Sequence, residues 1–158
     1  MKLIKLFIFC TVVLTTVSVF AQDKPSDANM QILLDKVKAD KKLVVAANMS
    51  LTADEAKAFW PIYDAYQQEL QAINDRLGAT ILAYADAYNK NTLTDQDAIR
   101  LADAALAIDQ DEIALRKKYA ARLNGLVPGK KVARYLQIEN KIRAAIRYEL
   151  AAGIPLVP

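Results

Sequence analysis

Between Phe59 and Tyr88 the apolar side chains fall at Phe59, Tyr63, Tyr66, Leu70, Ile73, Leu77, Ile81, Tyr84 and Tyr88. The steps are four and three residues, which on a helix of 3.6 residues per turn draw one continuous stripe. A strand, with its period of two, would scatter the same residues over both faces. The stretch therefore predicts a long amphipathic helix, about 53–89, on the order of 55 Å at 1.5 Å per residue. A stripe sustained that long requires a partner helix, in a hairpin or coiled coil.

The local signals around this helix are explicit. In "SLTADE" the Thr52 hydroxyl can cap the helix start while Glu55, three residues on, reaches back, which is a capping box. Pro61 then removes the hydrogen bond to the Lys57 carbonyl and crowds that turn, so a bend is expected there. Gly78 is a second soft point, at about 1 kcal/mol relative to alanine. "NKNTLT" ends the helix, and Thr94 with Asp97 repeats the capping logic for a third helix with a shorter acid. A first helix is expected over roughly 28–48, with Met30, Leu33, Val37 and Val44 near one face.

The third helix carries two adjoining stripes, Ile99, Ala102, Leu106, Ile113, Ala120 and Leu123 beside Leu101, Ala105, Ile108, Leu115 and Tyr119. Apolar width of this kind predicts contact with two partners. "NGLVPG" ends it, and Pro128 is placed to open a fourth helix, which should carry Val132, Tyr135, Ile138, Ile142, Ala145 and Ile146 inward. Short connections make neighbours antiparallel. The expected fold is all-α, an elongated antiparallel helical hairpin or bundle of about four helices.

The start of the chain reads as an export signal: Lys2 and Lys5, an apolar run from Leu6 to Phe20, and small residues Val19 and Ala21 before a cut at Gln22. The run is shorter than the roughly 20 residues a membrane-spanning helix needs. The expected division is residues 1–21 as a cleaved signal peptide and 22–158 as a single all-α domain, exported to the periplasm. The alternative is a retained anchor.

Cleavage would remove Cys10, the only cysteine, and the whole chain lacks histidine. Ser-His and Cys-His nucleophile pairs are thereby excluded, and so are thiolate and imidazole metal ligands. Without residues 1–21 the balance is 19 basic against 18 acidic residues, which does not describe a nucleic-acid binder. Carboxylate neighbours such as Asp109 with Asp111, or Asp54 with Glu55, point in different directions on a helix and read as surface or cap residues. An enzyme is not expected, nor is a cofactor or a metal.

Two short stretches, "LTADE" from Leu51 and "LTDQD" from Leu93, resemble the LTxxQ motifs of the Spy/CpxP family of small bacterial periplasmic proteins. The motif residues are Leu51, Thr52 and Glu55, then Leu93, Thr94 and Asp97; the last of each set stands where the family pattern has glutamine. The resemblance implies a bent, cradle-shaped, antiparallel homodimer that binds unfolded clients without ATP, or that damps an envelope-stress sensor. As structure alone, Leu51 and Leu93 plug the bundle ends while the threonines cap.

Charge is divided along the chain. Residues 22–111 hold 9 basic and 15 acidic residues, whereas residues 112–158 hold 10 basic and 3 acidic. Arg134 and Lys141 fall on one side of the last helix, and Arg143 and Arg147 on an adjoining strip. Either this basic half pairs with the acidic half, within or between subunits, or it attracts acidic clients or anionic lipid headgroups. Trp60, one residue off the core stripe beside Pro61, is a further candidate contact, as is Tyr66. The expected partner is an unfolded or a specific protein; a regulatory subunit of an envelope sensor is the alternative to a chaperone.

Overall fold

The computed structural model describes residues 41–158. The expected export signal, and the part of the expected first helix before residue 41, lie outside the described residues. The architecture is all-α. A helical segment, α1 (residues 41–49), is followed by α2 (Ala53–Asn89), α3 (Asp95–Leu123) and α4 (Gly129–Gly153).

α2 runs through Pro61, whose ring is exposed, and through Gly78, where a Cβ would meet nothing within 4 Å. Its first turn is closed by the full capping box: the Glu55 amide donates to Thr52 Oγ1 at 3.3 Å, and the Thr52 amide donates to Glu55 Oε2 at 2.7 Å. At α3 only half of this pattern forms. The Asp97 amide donates to Thr94 Oγ1 at 3.1 Å, and the hydroxyl in turn donates to the Asp97 carboxylate at 2.7 Å. The aspartate side chain is too short to reach back to the capping amide, and it pairs with Arg100 instead. At α4, Pro128 occupies the cap position itself, one place before the first helical residue.

The helices alternate in direction. α2 and α3 are antiparallel, joined across their length by Glu69–Lys118 at 2.8 Å and Arg76–Asp111 at 2.6 Å. α4 runs antiparallel to α3, through Arg147–Asp109 and Arg143–Glu112, and alongside α2 in the same sense, through Gln67–Glu139 and the Tyr84 hydroxyl donating to the Pro155 carbonyl. α1 lies antiparallel to both α2 and α4, through Lys42–Asp64 and Lys41–Glu139.

The core is aromatic where the four helices meet. Phe59, Tyr63, Tyr66, Tyr119 and Tyr135 are buried with Val45, Met49, Ile108, Leu115 and Leu123. Their rings meet mostly edge to face, for example Phe59–Tyr135 at 5.1 Å and Tyr66–Tyr119 at 5.3 Å, the arrangement that suits the ring quadrupoles.

Three sequence-based assignments of facing change. On α1 it is Val45 and Met49 that are buried, and Val44 is exposed. On α4, Ala145 and Ile146 are exposed rather than inward, because Glu139, Arg143 and Arg147 take the inward line at four-residue steps and pair with α1 and α3. On α3, Leu101, Ile108, Leu115 and Tyr119 face the core, whereas Ile99, Leu106 and Ile113 of the stripe expected beside them lie on the opposite face at 64%, 61% and 45% exposure, and of that stripe's large side chains Leu123 alone is buried.

Candidate partner-binding surfaces

Two acids sit where a helical bundle normally places apolar side chains. Glu112 and Glu139 are 6% and 4% exposed. Burial of a carboxylate is tolerated only with compensating partners, and both have them. Glu139 accepts from Gln67 Nε2 at 3.0 Å and pairs with Lys41 at 2.8 Å. Glu112 pairs with Arg147 at 3.2 Å and Arg143 at 3.4 Å. Sequence reasoning did not mark these acids, since an isolated glutamate on a helix reads as solvated surface; their only signal is that each interrupts an apolar line, Ile108–Glu112–Leu115 and Tyr135–Glu139–Ile142.

This pairing decides the place of two residues expected at a binding surface. Arg143 and Arg147 turn toward α3 and are engaged by Glu112 and Asp109; Arg147–Asp109 joins the basic and acidic halves within one subunit, whereas Glu112 is an acid of the basic half itself. Tyr66 is also withdrawn: it is buried against Tyr119 and Tyr135 and is not a surface contact. Burial, first, then the nearby Glu139 and Glu112 carboxylates, push its hydroxyl well above the ordinary tyrosine range. Trp60 is half-buried, edge-on to Phe59 and Tyr63, with the Lys42 ammonium 5.2 Å from its ring centre.

Arg134 and Lys141 stay outside, and the fold brings them together. They stand over a groove of about 350 Å³ between α1 and α4, lined by Val44, Asn48, Gln137, Ile138 and Ile142. The polar side chains of the rim are exposed and the two isoleucines are half-buried beneath them. Arg134 Nη1 donates to the Asn48 carbonyl at 3.2 Å, and Lys131 Nζ to the Ser50 carbonyl at 2.8 Å. Two cations thus meet the carbonyl end of α1, where the helix dipole is negative. Lys131 also holds the Glu55 carboxylate, which keeps Glu55 below the usual glutamate range.

The motif residues are distributed at helix starts. Leu51 packs against the core and Thr52 caps α2. Leu93 is half-buried and Thr94 caps α3. Neither motif lines the groove. Among the described residues no three His, Cys, Asp or Glu side chains gather as a metal site, and no helix is long and apolar enough to cross a membrane. No protein-family model, no curated protein and no solved structure matches the chain.

Proposed function

We propose that this is an exported periplasmic binding protein for other polypeptides, chaperone-like and independent of ATP, that acts as a homodimer. The observation that carries the reading is α3, which is apolar on two opposite faces of which one is covered. Ile99, Leu106 and Ile113 recur every seven residues, the spacing of a coiled-coil seam, and they lie open to solvent. An exposed apolar line of this kind, rimmed by charge, marks an interaction surface.

The charges beside the line favour a second copy as its resting occupant. In an antiparallel pairing centred on Leu106, Ile99 meets Ile113 and Asp95 meets Lys117; a parallel pairing would set Asp95 against Asp95. A client displaces that copy. The resemblance of the two LT motifs to the Spy/CpxP family supports the same reading from the sequence side, as does the export signal.

The test is aggregation of a chemically denatured protein with and without this one, at low and high salt, alongside sedimentation to follow the dimer. Protection at stoichiometric amounts is expected, with both protection and dimer lost in Leu106→Ser. No protection would remove the general chaperone reading and leave a regulatory subunit for one envelope partner, which a pull-down from envelope extract would then identify.

A further inference from the structure

The groove between α1 and α4 has a definite chemistry, independent of the outer stripe of α3. Its rim carries two cations and two amides, Arg134, Lys141, Asn48 and Gln137, and among the described residues no acid lines it. Its floor is Ile138 and Ile142, with the exposed Val44 on the α1 wall. Lys130 lies on the same side of α4, one turn before Arg134. The other bases of α4 are committed elsewhere: Lys131 to Glu55, and Arg143 and Arg147 to Glu112. The division leaves a row of cations beside an apolar floor.

Spacing defines what fits. Arg134 and Lys141 are seven residues apart, about 10.5 Å along the axis at 1.5 Å per residue. That interval is two turns of helix, and a furrow between two packed helices is the natural seat for a third, whose ridge of side chains enters it. We propose that the groove binds an acidic amphipathic helix of a partner protein. Its carboxylates, at i and i+7, meet Arg134 and Lys141, and its apolar residues at i+3 and i+4 enter between Val44, Ile138 and Ile142. A lipid surface fits less well, because membrane-binding helices present apolar side chains outward beyond the cations, whereas here Ile138 and Ile142 lie below them.

The inference rests on the polypeptide-binding reading in taking the ligand to be protein, but on a different surface. It is tested by fluorescence anisotropy of a short labelled helical peptide with Glu at i and i+7 and Leu at i+3 and i+4, against a twin peptide with Lys in place of Glu. Vesicles of phosphatidylglycerol form a second arm. The acidic peptide should bind, more weakly as salt rises, and the lysine peptide should not. Lys141→Glu, on an exposed position that leaves the helical circular dichroism unchanged, should weaken the acidic peptide by about tenfold, the scale of a reversed rim charge. Leu106→Ser should leave peptide binding intact.

Equal binding of both peptides, or full binding by Lys141→Glu, would overturn the assignment. Binding confined to vesicles would overturn it in favour of a headgroup site. Loss of client protection with peptide binding retained removes only the chaperone reading; the reverse removes only the groove.

Discussion

Thr52 and Thr94 show how far one side-chain carbon reaches. Both hydroxyls accept an amide hydrogen bond from the third residue of their helix, yet only Thr52 receives a glutamate in return. The returned bond satisfies a donor that would otherwise be orphaned at the start of α2, and Lys131 fixes the same Glu55 carboxylate from α4. Thr52 therefore sits in a network, whereas Thr94 sits in a local turn. Replacing Thr52 by alanine should cost about 1 to 2 kcal/mol in urea unfolding, and Thr94→Ala about half as much, within the usual range for lost caps. Equal losses would show that the network around Thr52 adds nothing to its cap; the returned bond, donated by the Thr52 backbone amide, is removed only by replacing Glu55. Both caps were legible from residue spacing, including the weaker pairing expected of Asp97. Glu112 and Glu139 were not, because their burial depends on arginine and lysine partners 31 or more residues away in sequence, and spacing carries no sign of that.

At the scale of elements, α3 is the instructive helix. Both of its stripes were visible in the sequence, but which one faces the core was not. Periodicity gives the width of an apolar face; the choice of direction is made by the partner, here the α2 line through Tyr66, Leu70 and Ile73. α1 teaches the same lesson, since Val44 and Val45 are adjacent and only packing against α2 and α4 selects the second. The two faces of α3 should separate by mutation. Ile108, 2% exposed, should lose about 2 to 4 kcal/mol as alanine, the range for a deleted buried aliphatic group. Leu106→Ser should change monomer stability by about 0.5 kcal/mol or less, as for exposed positions, while abolishing the dimer in sedimentation. A large loss of monomer stability in Leu106→Ser would place that stripe inside the fold.

Across the whole molecule the ionisable groups set two edges to stability. At the acid edge, Glu69 is held below the ordinary value of 4.5 by hydrogen bonds from Lys118, first, and Tyr119, and Glu55 likewise by Lys131. Asp97 is held below 3.8 by Thr94 and Arg100. A carboxylate depressed in the folded state adds stability that is present above its unfolded value and lost as pH falls through its folded one. The loss should begin near pH 4.5 and deepen below it. At the alkaline edge, burial raises Tyr63, Tyr66 and Tyr135 far above 10.0. A raised acid adds stability that is present below its unfolded value and lost as pH climbs past it, so unfolding should become easier from about pH 10 upward. Tyr135 offers the clean check. Its buried hydroxyl makes no well-formed hydrogen bond, although the Glu139 carboxylate is near enough to oppose tyrosinate. Tyr135→Phe removes a polar atom that has no partner to lose, so stability at neutral pH should hold or rise while the alkaline decline becomes shallower. Urea midpoints across pH 3 to 11 for this variant and Asp97→Asn would separate the two edges, because each substitution should flatten one and leave the other, whereas Glu69 also raises the Tyr119 hydroxyl that donates to it. An alkaline decline unchanged in Tyr135→Phe would assign that edge to the other tyrosines, and one unchanged in Tyr63→Phe, Tyr66→Phe and Tyr119→Phe as well would refute the assignment to the aromatic core.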